Sequence, residues 1–88
     1  MLTFDQLREG EIYNIHSKQF DVTNKARLIS FDTTPNLNRN IAYFQFSDRG
    51  YTPVSKQRLI QSFTKDEYLP NIFALWDFDL EHNKITNA

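Results

Sequence analysis

No cysteine, only two glycines, three prolines and no long apolar run occur in these 88 residues, and each shortage closes off a class of protein. Without cysteine there is neither a disulfide framework nor a thiolate zinc site. A hydrophobic core must therefore hold the fold alone, as is usual in a reducing compartment, and the cytoplasm is the expected location. No apolar stretch approaches the roughly 20 residues that cross a bilayer, and MLTFDQLREGE lacks a basic start followed by an apolar run, so neither a membrane span nor an export signal is expected. Two glycines are too few for a Gly-rich phosphate loop, and no Gly-x-Ser-x-Gly elbow or His-Glu-x-x-His pattern is present, so no catalytic role is expected. His16 and His82 have no familiar zinc spacing around them, and structural or surface roles suit them better. Neither a cofactor nor a metal is expected.

Aromatic residues and an uneven charge distribution fill the space these absences leave. Eight Phe, four Tyr and one Trp make 15% of the chain, enough large rings to supply much of the buried area that one small core needs. The net charge is −1, but it is not spread evenly. Lys18, Lys25, Arg27, Arg39, Arg49, Lys56 and Arg58 in the middle face only Asp21, Asp32 and Asp48, whereas both ends are acidic. No repeat, low-complexity tract or Gly/Ser linker interrupts the chain, so residues 1–88 are expected to form a single domain.

Local patterns then suggest elements. Thr3 with Gln6 has capping-box spacing, Leu2 with Leu7 makes a hydrophobic staple, and Gly10 suits a helix end, so residues 3–9 are expected to form one helical turn. Residues 11–16 alternate as a first strand with Tyr13 and Ile15 inward. SKQFDVTN reads as an irregular loop whose Phe20 and Val22 fold back onto the core. Residues 25–33 form a second strand and residues 34–40 its loop. IAYFQFSDRGYTPV reads as a hairpin with Ala42, Phe44 and Phe46 on the core face, Ile41, Tyr43 and Gln45 on the outer face, and a tight turn at residues 47–50 before a return over 51–54. Residues 55–58 suggest a single 3₁₀ turn and residues 59–63 a short closing strand. Thr64 and Glu67 repeat the capping-box spacing, with Phe63 and Tyr68 as staple, and Pro70 limits that helix to one turn. In the last segment Leu69, Ile72, Phe73, Trp76 and Leu80 fit a helical stripe. Strict alternation of Trp76, Phe78 and Leu80 with Asp77, Asp79 and Glu81 favours a strand over 73–81 instead, with a turn at residues 82–84 leading into Ile85.

A Gly10-Glu11-x-Tyr13-x-Ile15 first strand, two longer strands, a tight hairpin, a short strand, a one-turn helix and a closing strand form an order that resembles the Src-homology-3-like small barrel. The resemblance covers about residues 10–63 and rests on element order. It implies a mainly β fold of five to six strands, with short helical turns at the N-terminus and before the C-terminal segment. Residues 10–63 would be the barrel core and 64–88 an acidic-aromatic extension. The loop HSKQFDVTN has one Asp and no Tyr, so the polyproline-binding role of some members is not carried over.

Two functions are compared. In the preferred one, the protein is a protein-binding module, and exposed Tyr43 and Tyr51 together with Trp76, Asp77, Phe78, Asp79 and Glu81 of the tail form the contact surface. The acidic trio would be a solvated outer stripe suited to a basic partner rather than a cation site. An open strand edge would also allow a homodimer. A compact, cysteine-free, Asn-rich chain of this size is the kind of product phage and mobile elements encode to dock on, and inhibit, larger host complexes. The alternative is a nucleic-acid-binding barrel that uses Lys25, Arg27, Arg39, Arg49, Lys56 and Arg58, with tyrosines for stacking. It ranks second because the basic excess is modest and the acidic ends would repel the same ligand.

Overall fold

A computed structural model describes residues 1–34, 39–46, 55–65, 69 and 71–88. The fold is mainly β. Strands β1 (Ile12–Ser17), β2 (Val22–Thr34), β3 (Arg39–Phe46), β4 (Ile72–Trp76) and β5 (Asn83–Asn87) form one sheet in the order β4-β3-β2-β1-β5. Every pairing is antiparallel. The edge strands β4 and β5 are not hydrogen-bonded to each other, so the sheet is not closed into a barrel. A helix α1 (Lys56–Thr64) and two 3₁₀ turns, Phe4–Gln6 and Asp77–Glu81, complete the described elements. No described helix is long and apolar enough to cross a membrane.

The first turn forms where the capping box placed it. Gln6 Oε1 accepts a hydrogen bond from the Thr3 backbone N–H at 3.0 Å, and the staple residue Leu7 is buried with Leu2 packed near it. Gly10 has φ +89°, a conformation in which a side chain would be strained. β1 then presents Tyr13 and Ile15 inward, as the alternation requires.

The main core combines Phe4, Leu7, Tyr13, Ile15, Ala26, Leu28, Ala42, Phe44, Leu75 and Ile85. Residues from all five strands meet in it, so the sheet is strongly curved around this face. An irregularity in β2 lets the long strand serve it throughout. Leu28 lies opposite Phe44 but Ser30 lies opposite Tyr43, so one extra residue is accommodated between them. Phe31 thereby returns to the face of Ala26 and Leu28, where its ring lies 6.0 Å from that of Phe4.

Several expectations are corrected. Residues 17–24 are not an irregular loop: β2 begins at Val22, the connection is a tight turn, and Phe20 and Val22 are 71% and 47% exposed rather than folded onto the core. Residues 39 and 40 belong to β3, not to a loop. The outer face assigned to Ile41, Tyr43 and Gln45 is buried too, because α1 lies over it and Leu59 packs against Ile41 and Tyr43. Residues 55–58 are not a 3₁₀ turn and 59–63 are not a strand, because α1 (Lys56–Thr64) runs through both. Ser55 caps it, its Oγ accepting the Arg58 N–H at 3.1 Å, and Leu59 and Ser62, three residues apart, turn to the sheet. Residues 73–81 are not one strand: β4 ends at Trp76 and the second 3₁₀ turn follows. Residues 83 and 84, expected in a turn, open β5. The hairpin turn at 47–50, the return over 51–54 and most of the capping-box turn after Thr64 lie outside the described residues.

Candidate binding surfaces

Helix α1 covers the part of its sheet face formed by β3, β4 and the middle of β2, where Ile29 packs against the layer of Ile41, Tyr43 and Leu59 and Ser30 is buried. Across β5, β1 and the first part of β2 the same face meets solvent, and the register places its side chains in rows. Arg27 stands beside Ile12; Thr86, Asn14 and Lys25 form the next row; Lys84, His16 and Thr23 form the last. Directly opposed residues share a face and lie within about 5 Å of one another. Thr23, Lys25, Lys84 and Thr86 are exposed, and Ile12, Asn14, His16 and Arg27 are partly so.

None of these positions carries a carboxylate. Asp21 reaches the last row, where its Oδ1 stands 3.3 Å from His16 Nε2, while His16 Nδ1 lies 2.7 Å from Thr23 Oγ1. Lys84, Lys25 and Arg27 therefore form a cationic band that crosses β5, β1 and β2 diagonally and advances four residues, about 13 Å, along the strands. Lys25 and Arg27 were candidates from the sequence. Lys84 was not: it was counted with the acidic tail, and only β5 pairing brings it beside His16. Alternation of Lys84 and Thr86 about the apolar Ile85 is the signal that could have placed it. The other cations are dispersed. Arg58 and Lys56 belong to α1, Arg39 opens β3, and Arg49 lies outside the described residues.

The set singled out for protein binding is not one surface. Tyr43 is 2% exposed beneath α1, and Tyr51 lies outside the described residues. Trp76 is half-buried against the layer of Ile41, Tyr43 and Leu59. Phe78 is 47% exposed and stacks on Trp76 with ring centroids 6.0 Å apart. Asp79 has a local task, its Oδ2 accepting the Trp76 N–H at 2.8 Å, and Asp77 Oδ1 accepts the Phe78 N–H at 2.8 Å. These bonds end β4 and start the turn, so Asp77, Asp79 and Glu81 do not line up as an acidic stripe along a strand. Leu80 packs on the main core while Trp76 serves the other layer. His82 is exposed at the end of the turn.

Both sheet edges are partly occupied by the chain itself. On β4 the N–H groups of Ile72 and Trp76 go to the Leu69 carbonyl and to Asp79. On β5 the Ile85 carbonyl accepts the Leu2 N–H at 2.8 Å. Such plugging restricts strand addition by another chain. No protein-family model, curated protein or solved structure matches the chain.

Proposed function

We propose that the protein is a non-enzymatic binding module that holds a polyanion, in the first instance a nucleic acid, against the open face of β5, β1 and β2. The observation that carries this reading is the cationic band of Lys84, Lys25 and Arg27, in rows that hold no acidic residue and are met by Asp21 only at their end beside His16, in a chain whose net charge is −1. Folding concentrates the positive charge where the sequence average conceals it. Local charge density, not the total, governs counterion release from a bound phosphate backbone. Asn14, Thr23 and Thr86 add neutral hydrogen-bonding groups between the cations.

Fluorescence anisotropy with labelled single-stranded and duplex oligonucleotides tests this reading. For three phosphate contacts, log affinity should fall with log salt at a slope of roughly −2 to −3 between about 50 and 200 mM. No complex with either probe at about 50 mM salt removes it.

A second reading, docking on a protein, is favoured by the exposed Phe78 ring stacked on Trp76 beside Asp77 and Glu81, since aromatic anchors dominate interface energetics. The expectation of an accessory protein on a larger complex belongs here. Self-association through the β4 edge is its narrower variant, restricted by the plugs at Ile72 and Trp76. Capture from the native source with wild-type and Phe78→Ser chains separates the readings. Protein docking expects a co-eluting protein that the substitution loses. Polyanion binding expects nuclease-sensitive material that both chains retain.

The Src-homology-3-like relation is part of the same proposal. The short strand, one-turn helix and closing strand on which the likeness rests have counterparts in β4, the second 3₁₀ turn and β5, with α1 inserted ahead of them. The likeness would then extend to residue 87 rather than stopping near 63.

A further inference from the structure

The hairpin that carries two of the three cations of the band ends in an aromatic ring. Residues 18–21 form the turn between β1 and β2, and Phe20 stands in it at 71% exposure, the most exposed aromatic among the described residues. Turn positions ordinarily go to Gly, Asn, Asp or Ser, whose backbone and side-chain preferences suit them. A phenylalanine contributes nothing to the turn itself. The tip is nevertheless well tied down. Ser17 Oγ accepts the Phe20 N–H at 3.3 Å, the Lys18 N–H donates to the His82 carbonyl at 2.9 Å, and Asp21 takes the left-handed φ of +51° while its carboxylate faces His16. The ring is thus presented on an ordered support rather than a loose loop.

The turn also sets how far along the hairpin residue 20 lies from the charge. Two residues of strand, about 7 Å, separate the tip from the row of Lys84, His16 and Thr23. Lys18, in the turn itself, adds a further exposed cation two residues before Phe20. A backbone tracked by fixed cations with an exposed ring at its end is the arrangement by which single strands are held, phosphates on the charge and a base on the ring.

Resting on the polyanion reading, we infer that Phe20 is a stacking platform for an unpaired base, and that the preferred ligand is single-stranded nucleic acid rather than duplex. The duplex keeps its bases stacked on each other and offers the ring no partner without unpairing. The single strand offers a free π-face at little cost. Heparin, which has charge but no bases, uses the cationic band alone.

Anisotropy titrations of wild type, Phe20→Leu and Phe20→Trp test this, with an oligothymidylate of roughly 12 nucleotides, an abasic strand of the same length, and heparin. Phe20→Leu should lose on the order of tenfold in affinity for the oligothymidylate and nothing for the abasic strand or heparin. Phe20→Trp should retain or strengthen oligothymidylate binding, and its added fluorescence should be quenched on binding. Equal oligothymidylate affinity for wild type and Phe20→Leu overturns the stacking role while leaving the polyanion reading in place. An equal loss on all three probes also overturns it, because the ring then matters only to the shape of the tip. Failure of the wild type to bind any probe removes the polyanion reading and this inference together. Thermal unfolding of Phe20→Leu should match wild type, since the ring is in solvent.

Discussion

Phe44→Ala should leave the protein only marginally stable at room temperature. Phe44 is fully buried in the middle of β3, opposite Leu28 on one neighbouring strand and Phe73 on the other, and its ring stacks on that of Phe73 at 5.5 Å and 16°. Truncating a buried phenylalanine costs about 3–5 kcal/mol, because the cavity it leaves cannot collapse between two hydrogen-bonded strands. The whole stability of a domain this small lies toward the lower end of ~5–15 kcal/mol, so the loss consumes most of it. Phe46→Ala is the comparison. That ring also stacks on Phe73, at 4.6 Å, but it sits at the margin of the core and is partly exposed, so a smaller loss is expected. Urea titrations followed by circular dichroism measure both. A Phe44→Ala chain that melts like wild type would mean that the curved face of the sheet is not the core.

That prediction rests on the part of the fold that the sequence makes legible. Alternation marked Tyr13 and Ile15 in β1 and Ala42 and Phe44 in β3 as inward, and Thr3 with Gln6 marked the first turn, because each signal is local. What failed was the assumption that one face of each strand meets water. Ile41, Tyr43 and Gln45 form a second buried row, so IAYFQF is a central strand covered on both sides, and a near-continuous apolar run is what such a strand requires. The cover, α1, was misread because Leu59 and Phe63, four residues apart, satisfy a strand and a helix equally over so short a span. Trp76, Phe78 and Leu80 show the same ambiguity. There the deciding interaction is one carboxylate, Asp79, reaching back to the Trp76 N–H, which no periodicity can foresee.

The candidate site was half legible. Lys25 and Arg27 sit two apart on a strand, and their shared face follows from period two alone. Their partner Lys84 arrives from 57 positions beyond Arg27 through β5 pairing with β1, a long-range contact that charge counting along the chain divided between a basic middle and an acidic tail. Phe20 was assigned to the core on hydrophobicity, and only the turn geometry puts it in solvent.

Charge reversal on the open face should nearly abolish polyanion binding without touching stability. Lys25 and Lys84 are both exposed, so Lys25→Glu with Lys84→Glu changes no buried contact and takes the net charge from −1 to −5. Each phosphate contact contributes roughly 0.7 to 0.9 to the slope of log affinity against log salt, which at about 50 mM amounts to roughly tenfold per contact. Loss of two contacts, with two carboxylates now facing the phosphates, should weaken binding on the order of 100-fold or more. Arg27 is half-buried beside Gln45, so it is better replaced by Gln than by Glu, which would bury a charge without a partner. Adding Arg27→Gln should bring the loss toward 1,000-fold and flatten the salt dependence almost completely. The control is Arg8→Glu with Lys65→Glu, two exposed positions off this face that make the same change in net charge. If binding depends on the band, the control should lose only a few-fold, through long-range repulsion that salt screens. Equal losses in the two double variants, at equal melting temperature, would mean that the ligand responds to total charge and that the register of Lys84, Lys25 and Arg27 has no part in holding it.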